Sequence, residues 1–151
     1  MNAYERMRRL GIVPPPPPSP MPAFVPFVLA GSLIFLSGHF AKRKGAPWTG
    51  QIGSDLDTAE GDLAARSVAV DLVYTLHEAT GDLNRIARIV KIAGYVNSAP
   101  DFLEHQVVIN GASEILEEIL ACKGPHTCST FGVQQLPMGA CVEIELVAEL
   151  I

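Results

Sequence analysis

Thr127-Cys-Ser-Thr-Phe-Gly-Val-Gln-Gln-Leu-Pro-Met-Gly-Ala-Cys-Val-Glu-Ile-Glu-Leu-Val-Ala-Glu149 reads as two strands joined by a loop at Leu136-Pro137-Met138-Gly139. In the second strand Val142, Ile144, Leu146 and Ala148 alternate with Glu143, Glu145, Val147 and Glu149, so one face is apolar and the other carries three carboxylates. Glu145 and Glu149 fit a solvated sheet face, the usual place for Glu. Glu143 differs in position. It lies nearest the Pro-Gly loop, where a strand begins and a pocket rim forms, and Thr127-Cys128-Ser129 starts the partner strand. Glu143 is therefore the first candidate for chemistry.

Working outward, Ile86-Ala-Arg-Ile-Val-Lys-Ile-Ala-Gly-Tyr-Val96 is a β-branched run that predicts one long strand, broken by Asn97-Ser98-Ala99-Pro100. A helix follows, broken or late-starting at Asn110-Gly111, with Ala112, Ile115, Leu116, Ile119 and Leu120 on its buried stripe and Gly124-Pro125 as its stop. An earlier helix is capped by Thr58, carries Glu60 and Asp62 in its first turn and ends at Gly81. Its apolar stripe is Leu63, Ala65, Ala69, Leu72, Val73 and Leu76. Phe27 to Ala30 and Leu33 to Leu36 make a hairpin turning at Gly31-Ser32. The order is ββαβαββ. Paired strands alternating with single helices predict an α+β layer, one mixed sheet with two helices on one face.

The N-terminal stretch is of another kind. Met1 to Leu10 has the composition of one short helix, and Pro14 to Pro18 with Pro20 and Pro22 predicts an extended arm without backbone donors. The chain divides into a leader and proline-rich arm over 1–22 and a domain over 23–151. Residues Met1 to Pro20 offer few groups able to join a core. The uncharged stretch from Phe24 is interrupted by Pro26 and Gly31-Ser32 and follows a proline run, which is the layout of neither a membrane span nor a secretory signal.

The totals narrow the function classes. A chain of 151 residues is one domain's worth, long enough to bury its own core. Cys122, Cys128 and Cys141 are odd in number and lack metal-ligand spacing, which predicts reduced thiols in a cytoplasm and no metal site. A net charge of −5 argues against binding nucleic-acid phosphates. Apolar residues make up 48% of the chain and charged ones 18%, an excess that partner subunits would cover.

The C-terminal block resembles the signature of the Rid (YjgF-type) family of small trimeric enamine and imine deaminases, in which an Arg-Ser pair, a Leu-Pro turn and a Val-Glu-Ile-Glu strand recur. The matching residues are Ser129, Leu136-Pro137 and Val142-Glu143-Ile144-Glu145. Ser37-Gly38-His39 resembles the family's Ser-Gly-Gln, and Val96-Asn97-Ser98-Ala99-Pro100-Asp101-Phe102 leading to Ile109-Asn110-Gly111 is a further match. The resemblance runs from Phe24 to Glu149 and implies a chorismate-mutase-like fold and a trimeric, barrel-like assembly with a pocket at each subunit interface. It also implies that Glu143 holds the water that attacks an imine carbon, with no cofactor. Asn110 matches a site asparagine, and Phe27 stands where many members have tyrosine. Ser37, Gly38 and His39 fall at the pocket, with Thr127 beside it. Cys128 occupies the place of the arginine that grips a substrate carboxylate. A thiol does not replace a guanidinium. The expected function is thus a divergent deaminase-like hydrolase of a small imine, enamine or related carbonyl compound; the alternative is a non-catalytic trimeric small-molecule-binding module.

Overall fold

The computed structural model describes residues 1–13, 25–121 and 125–151; the proline arm, Cys122 and the Gly124 stop lie outside the described residues. Its elements are α1 (Ala3–Arg9), β1 (Phe27–Ala30), β2 (Leu33–Phe40), β3 (Lys42–Arg43), β4 (Ala46–Pro47), α2 (Thr58–Thr80), β5 (Ile86–Asn97), α3 (His105–Leu120), β6 (Thr127–Val133) and β7 (Val142–Leu150). Apart from α1 and the small β3–β4 ribbon, this is the expected ββαβαββ order in an α+β layer. The main sheet runs β1-β2-β7-β5-β6, and it is mixed because β5 and β6 are parallel while the other pairs are antiparallel.

The alternation in β7 does what its pattern requires. Val142, Ile144, Leu146 and Ala148 are buried, and Ile34, Leu36, Ile92 and Val96 join them on the face that α2 and α3 cover. Burial of each large aliphatic side chain contributes about 1.5–3 kcal/mol, which makes this face the main source of stability. The opposite face has no helix. Val28, Phe35 and Phe131 stand on it 53%, 45% and 48% exposed, an apolar surface without a cover in the single chain.

Four local expectations are corrected. Asp57, not Thr58, caps α2: its side chain accepts from the Glu60 amide while the Glu60 carboxylate accepts from the Asp57 amide, a capping box. Leu63 is exposed, and Ala64 and Val68 hold the buried positions instead. The helix α3 is continuous through Asn110-Gly111, because Gly111 is a contact residue and not a breaker. A Cβ there would lie 2.6 Å from the Asp62 carbonyl oxygen of α2, so its absence is what lets the two helices cross closely.

The leader is the fourth. Ala3 and Met7 of α1 are fully buried, the Tyr4 hydroxyl lies 2.9 Å from His77 Nδ1, and the Ala3 amide donates to Asn84. Asn2 caps the helix and anchors it in a capping box with Glu5. The leader therefore completes the core under α3 and the Leu83–Arg85 turn, contrary to its expected small contribution.

Candidate functional site

Glu143 lies on the uncovered face of the sheet, opposite Tyr95 of β5 and Phe40 of β2. Its carboxylate rests on Gly38, where a Cβ would collide with Oε1. That position is made by an irregularity in β2. Leu36 pairs with Leu146 and His39 with Ile144, so three steps along β2 match two along β7 and Ser37-Gly38 bulge. Glycine at the bulge leaves room for the acid.

The Glu143 carboxyl has no hydrogen-bond or ion-pair partner among the described residues. Burial, and next the charge of Glu145, push its pKa above the usual carboxylate range. Glu145, two residues on and on the same face, accepts a 3.0 Å hydrogen bond from the Tyr95 hydroxyl. Tyr95 stacks on Phe131 with ring centroids 5.5 Å apart. Farther along this face, Phe35, Lys91, Ala93, Glu145 and Val147 line a cavity of about 220 Å³.

The bulge also turns His39 to the other face. One ring nitrogen, Nδ1, lies 2.6 Å from the Ser37 carbonyl and therefore donates to it; Nε2 lies 2.7 Å from the Thr75 hydroxyl of α2 and accepts. Burial lowers the His39 pKa, which keeps the ring neutral. His39 is thus a strut between β2 and α2. The Ser37 hydroxyl donates to the Val25 carbonyl at 2.8 Å and fastens the start of β1. Of the Ser37-Gly38-His39 group, only Gly38 meets the carboxylate.

Cys128 lies elsewhere. It pairs with Ile92, which in turn pairs with Leu146, so its side chain is on the helix-covered face while Glu143 is on the other. Within one chain the two do not line one pocket. Cys128 instead belongs to a polar group on the β6 edge: Gln106 Nε2 of α3 donates to Asn110 Oδ1 at 2.9 Å and approaches Cys128 Sγ at 3.7 Å. The Thr127 hydroxyl donates to the Val90 carbonyl at 3.3 Å. Phe27, opposite Leu36 on β1, packs on the core at the far edge of the sheet. Four interstrand spacings, about 19 Å, separate β1 from β6. The predicted residues therefore fall in three places, a central one around Glu143 and one at each edge.

Gln106, Tyr95 and Phe131 were not singled out by sequence and Glu145 was read as part of a solvated sheet face, although Gln106 and Asn110 have the i,i+4 spacing that puts side chains side by side on a helix. Cys141 is no nucleophile, since burial raises its thiol pKa to about 11. Ser98 Oγ and His105 Nε2 are 3.1 Å apart, with the His105 ring edge-on to Phe102; this pair ties the start of α3 to the end of β5. Among the described residues no group of three His, Cys, Asp or Glu side chains is placed to hold a metal ion, and no helix is long and apolar enough to cross a membrane.

Over residues 6–150 the chain matches the family described as "YjgF/chorismate mutase-like, putative endoribonuclease". It is 39% identical over 146 residues to protein TCP17 of Trypanosoma cruzi, a match covering 95% of this chain and 91% of that protein. The crystal structure of Atu1372 from Agrobacterium tumefaciens, a protein of unknown function, is 35% identical with a TM-score of 0.87, over 99% of this chain and 94% of the other. A structure from Shewanella oneidensis MR-1 named as a "putative endoribonuclease" is 28% identical with a TM-score of 0.91, over 99% and 100%. Both alignments extend through the leader, in keeping with the burial of α1.

Proposed function

Because this chain belongs to the YjgF/chorismate-mutase-like family, we propose that it hydrolyses small reactive imines or enamines, with Glu143 activating the attacking water. The observation that carries this reading is the Glu143 carboxyl itself. It is half-buried, unpartnered among the described residues and held over a glycine, and its pKa is raised by burial and by Glu145. A carboxylate of raised pKa is a stronger base, and one with no structural partner is available to a water molecule.

The chemistry requires little else. Water adds to the C=N carbon as Glu143 takes its proton, the π pair moves to nitrogen, and the carbinolamine forms. Glu143 returns that proton to nitrogen. It then takes the carbinolamine hydroxyl proton and passes it to nitrogen as the C=O bond forms and the C–N bond breaks, so that ammonia leaves a carbonyl product. No redox group takes part.

The reading includes a homotrimer working in the cytoplasm, with a small molecule as ligand and no nucleic acid or membrane as partner. Val28, Phe35 and Phe131 on the uncovered sheet face are apolar surface of the kind that subunit contact removes from water. A neighbouring copy also supplies what one chain lacks, bringing its Gln106–Asn110–Cys128 edge toward Glu143. An RNA substrate, suggested by the names of relatives, is disfavoured by the net charge of −5 and by Glu143 and Glu145 on the candidate face.

The test is ammonia release from imines generated in situ, for the wild type and Glu143→Gln. General-base catalysis contributes about 10²–10⁴-fold, so the variant should lose at least a hundredfold in rate while keeping its fold. An undiminished Glu143→Gln rate would sink the mechanism. A folded wild type that binds but hydrolyses no imine would establish the second reading, a binding module, which Cys128 in the arginine's place favours.

A further inference from the structure

We infer that Ser98 and His105 form a second catalytic pair, which hydrolyses neutral carboxylic esters in a cavity separate from Glu143. Ser98 follows the end of β5, and His105 is the first residue of α3. Ser98 Oγ lies 3.1 Å from His105 Nε2, within the reach at which a nucleophile hands its proton to a base. With the ring proton on Nδ1, Nε2 accepts from the hydroxyl, and neither side chain has another hydrogen-bond partner among the described residues. Phe102 meets the imidazole edge-on at 5.2 Å and holds its plane.

Gly132 of β6 keeps the pair open. A Cβ there would lie 2.5 Å from His105 Nε2 and 2.8 Å from Ser98 Oγ, so any other residue would collide with both. The pair lines a cavity of about 670 Å³, a size typical of small-molecule sites. Neither Glu143 nor Tyr95, its cross-strand partner, lines it.

The rest of the wall decides the ligand. Pro100, Phe102 and Leu103 give it an apolar side, and Leu103 is 87% exposed, ready to cover the hydrocarbon part of a substrate. Among the described residues no Lys, Arg, Asp or Glu lines the cavity, so a charged substrate would lose hydration without finding a counter-ion. Gln51 stands on the same wall. Its Oε1 accepts from Ser54 Oγ at 3.0 Å, which leaves its amide N–H groups as donors to a carbonyl oxygen that takes up charge.

The reaction needs only these groups and water. Ser98 Oγ bonds to the ester carbonyl carbon while His105 Nε2 takes the hydroxyl proton and the π pair moves to oxygen. That pair returns as the C–O bond to the alcohol breaks, and His105 gives its proton to the departing oxygen. Water then adds to the acyl group on Ser98, again losing a proton to His105. The bond to Oγ breaks, Ser98 recovers its proton, and a carboxylic acid leaves.

The experiment uses the full-length protein and p-nitrophenyl butyrate. Release of p-nitrophenolate gives the rate, and peptide mass mapping after an acid quench locates the butyryl group. The wild type should turn the ester over with that group on Ser98. Ser98→Ala and His105→Gln should each lower kcat/KM at least about a hundredfold. Glutamine at 105 keeps a hydrogen-bonding side chain beside Ser98 but supplies no base, so a merely structural tie would survive there and the activity would not. Gln51→Ala should lower kcat by about a hundredfold with KM nearly unchanged. Butyryl groups on lysines only, or a wild-type rate no higher than that of buffer, would overturn the inference. A folded His105→Gln protein of full activity would do the same. Because the adduct is mapped on the unaltered protein, that measurement decides the matter even if a variant does not fold.

Discussion

Glu143 and Gly38 are in contact across β7 and β2, with the carboxylate occupying the space a side chain at position 38 would fill. The backbone at Gly38 is not left-handed, so alanine there meets no conformational barrier, and the atoms nearest its methyl group belong to the movable side chain of Glu143. Gly38→Ala should therefore cost little stability, about 1 kcal/mol, yet push the carboxylate aside. Misplacement of a reacting group by an ångström lowers rates by about a hundredfold. Imine hydrolysis should fall to a comparable extent with the melting temperature nearly unchanged; a fully active Gly38→Ala protein would show that Glu143 has no required position.

His39 gives a prediction about acid stability. Burial, the dominant effect, lowers its pKa, opposed by the Ser37 carbonyl and by Asp71, with Lys42 adding a small lowering; Asp71 and Lys42 are themselves paired at 3.2 Å. The unfolded chain, with a His pKa near about 6.5, binds more protons than the folded chain between the two values. Stability from this group is complete above pH about 6.5 and declines as pH falls through that value toward the folded one. Glu143 works oppositely, since its raised pKa makes the folded state the better proton binder as pH falls. The difference between wild type and His39→Gln isolates the histidine. It should be constant above about pH 7 and shift in favour of the variant below about pH 6; a difference independent of pH in urea titrations would remove the claim.

Much of the fold was legible because its signals are periodic. In β7 every second residue is buried, and the β1–β2 hairpin turns at Gly31-Ser32 with Gly31 at φ 61°. The site was less legible for a related reason. The stretch Thr127-Cys128-Ser129-Thr130-Phe131 has no clean apolar alternation, so the face taken by Cys128 depends on its register against Ile92, which is a tertiary property. One extra residue in the Ser37-Gly38 bulge likewise sent His39 to the core side. Gly111 reads as a breaker in isolation, and only the approach of Asp62 reveals it as a contact.

Met7 tests the place of the leader. Its side chain is fully buried in a seven-residue helix that could not stand alone, so α1 and the core hold each other. Replacing a buried Met by Ala costs about 2–5 kcal/mol. Met7→Ala should lie in that range by urea denaturation, and deletion of residues 1–12 should cost at least as much. A loss below about 1 kcal/mol for the deletion would mean that the domain closes without α1.

The uncovered sheet face carries the last prediction. Phe35 and Val28 face each other's strands at 45% and 53% exposure, and Phe131 lies 48% exposed near the other edge. A lysine at position 35 leaves the helix-covered core untouched, since Phe35 points away from it, but places a charge on the surface proposed to meet two neighbours. Burying that charge without a partner costs several kcal/mol. Phe35→Lys should therefore be a folded monomer where the wild type is a trimer by light scattering. Activity should fall with the trimer, because Glu143 then loses the Gln106–Asn110–Cys128 edge of the adjoining copy. A wild-type monomer at micromolar concentration would defeat the assembly. A monomeric Phe35→Lys protein with full activity would confine the site to one chain, and the edge residues would have no part in it.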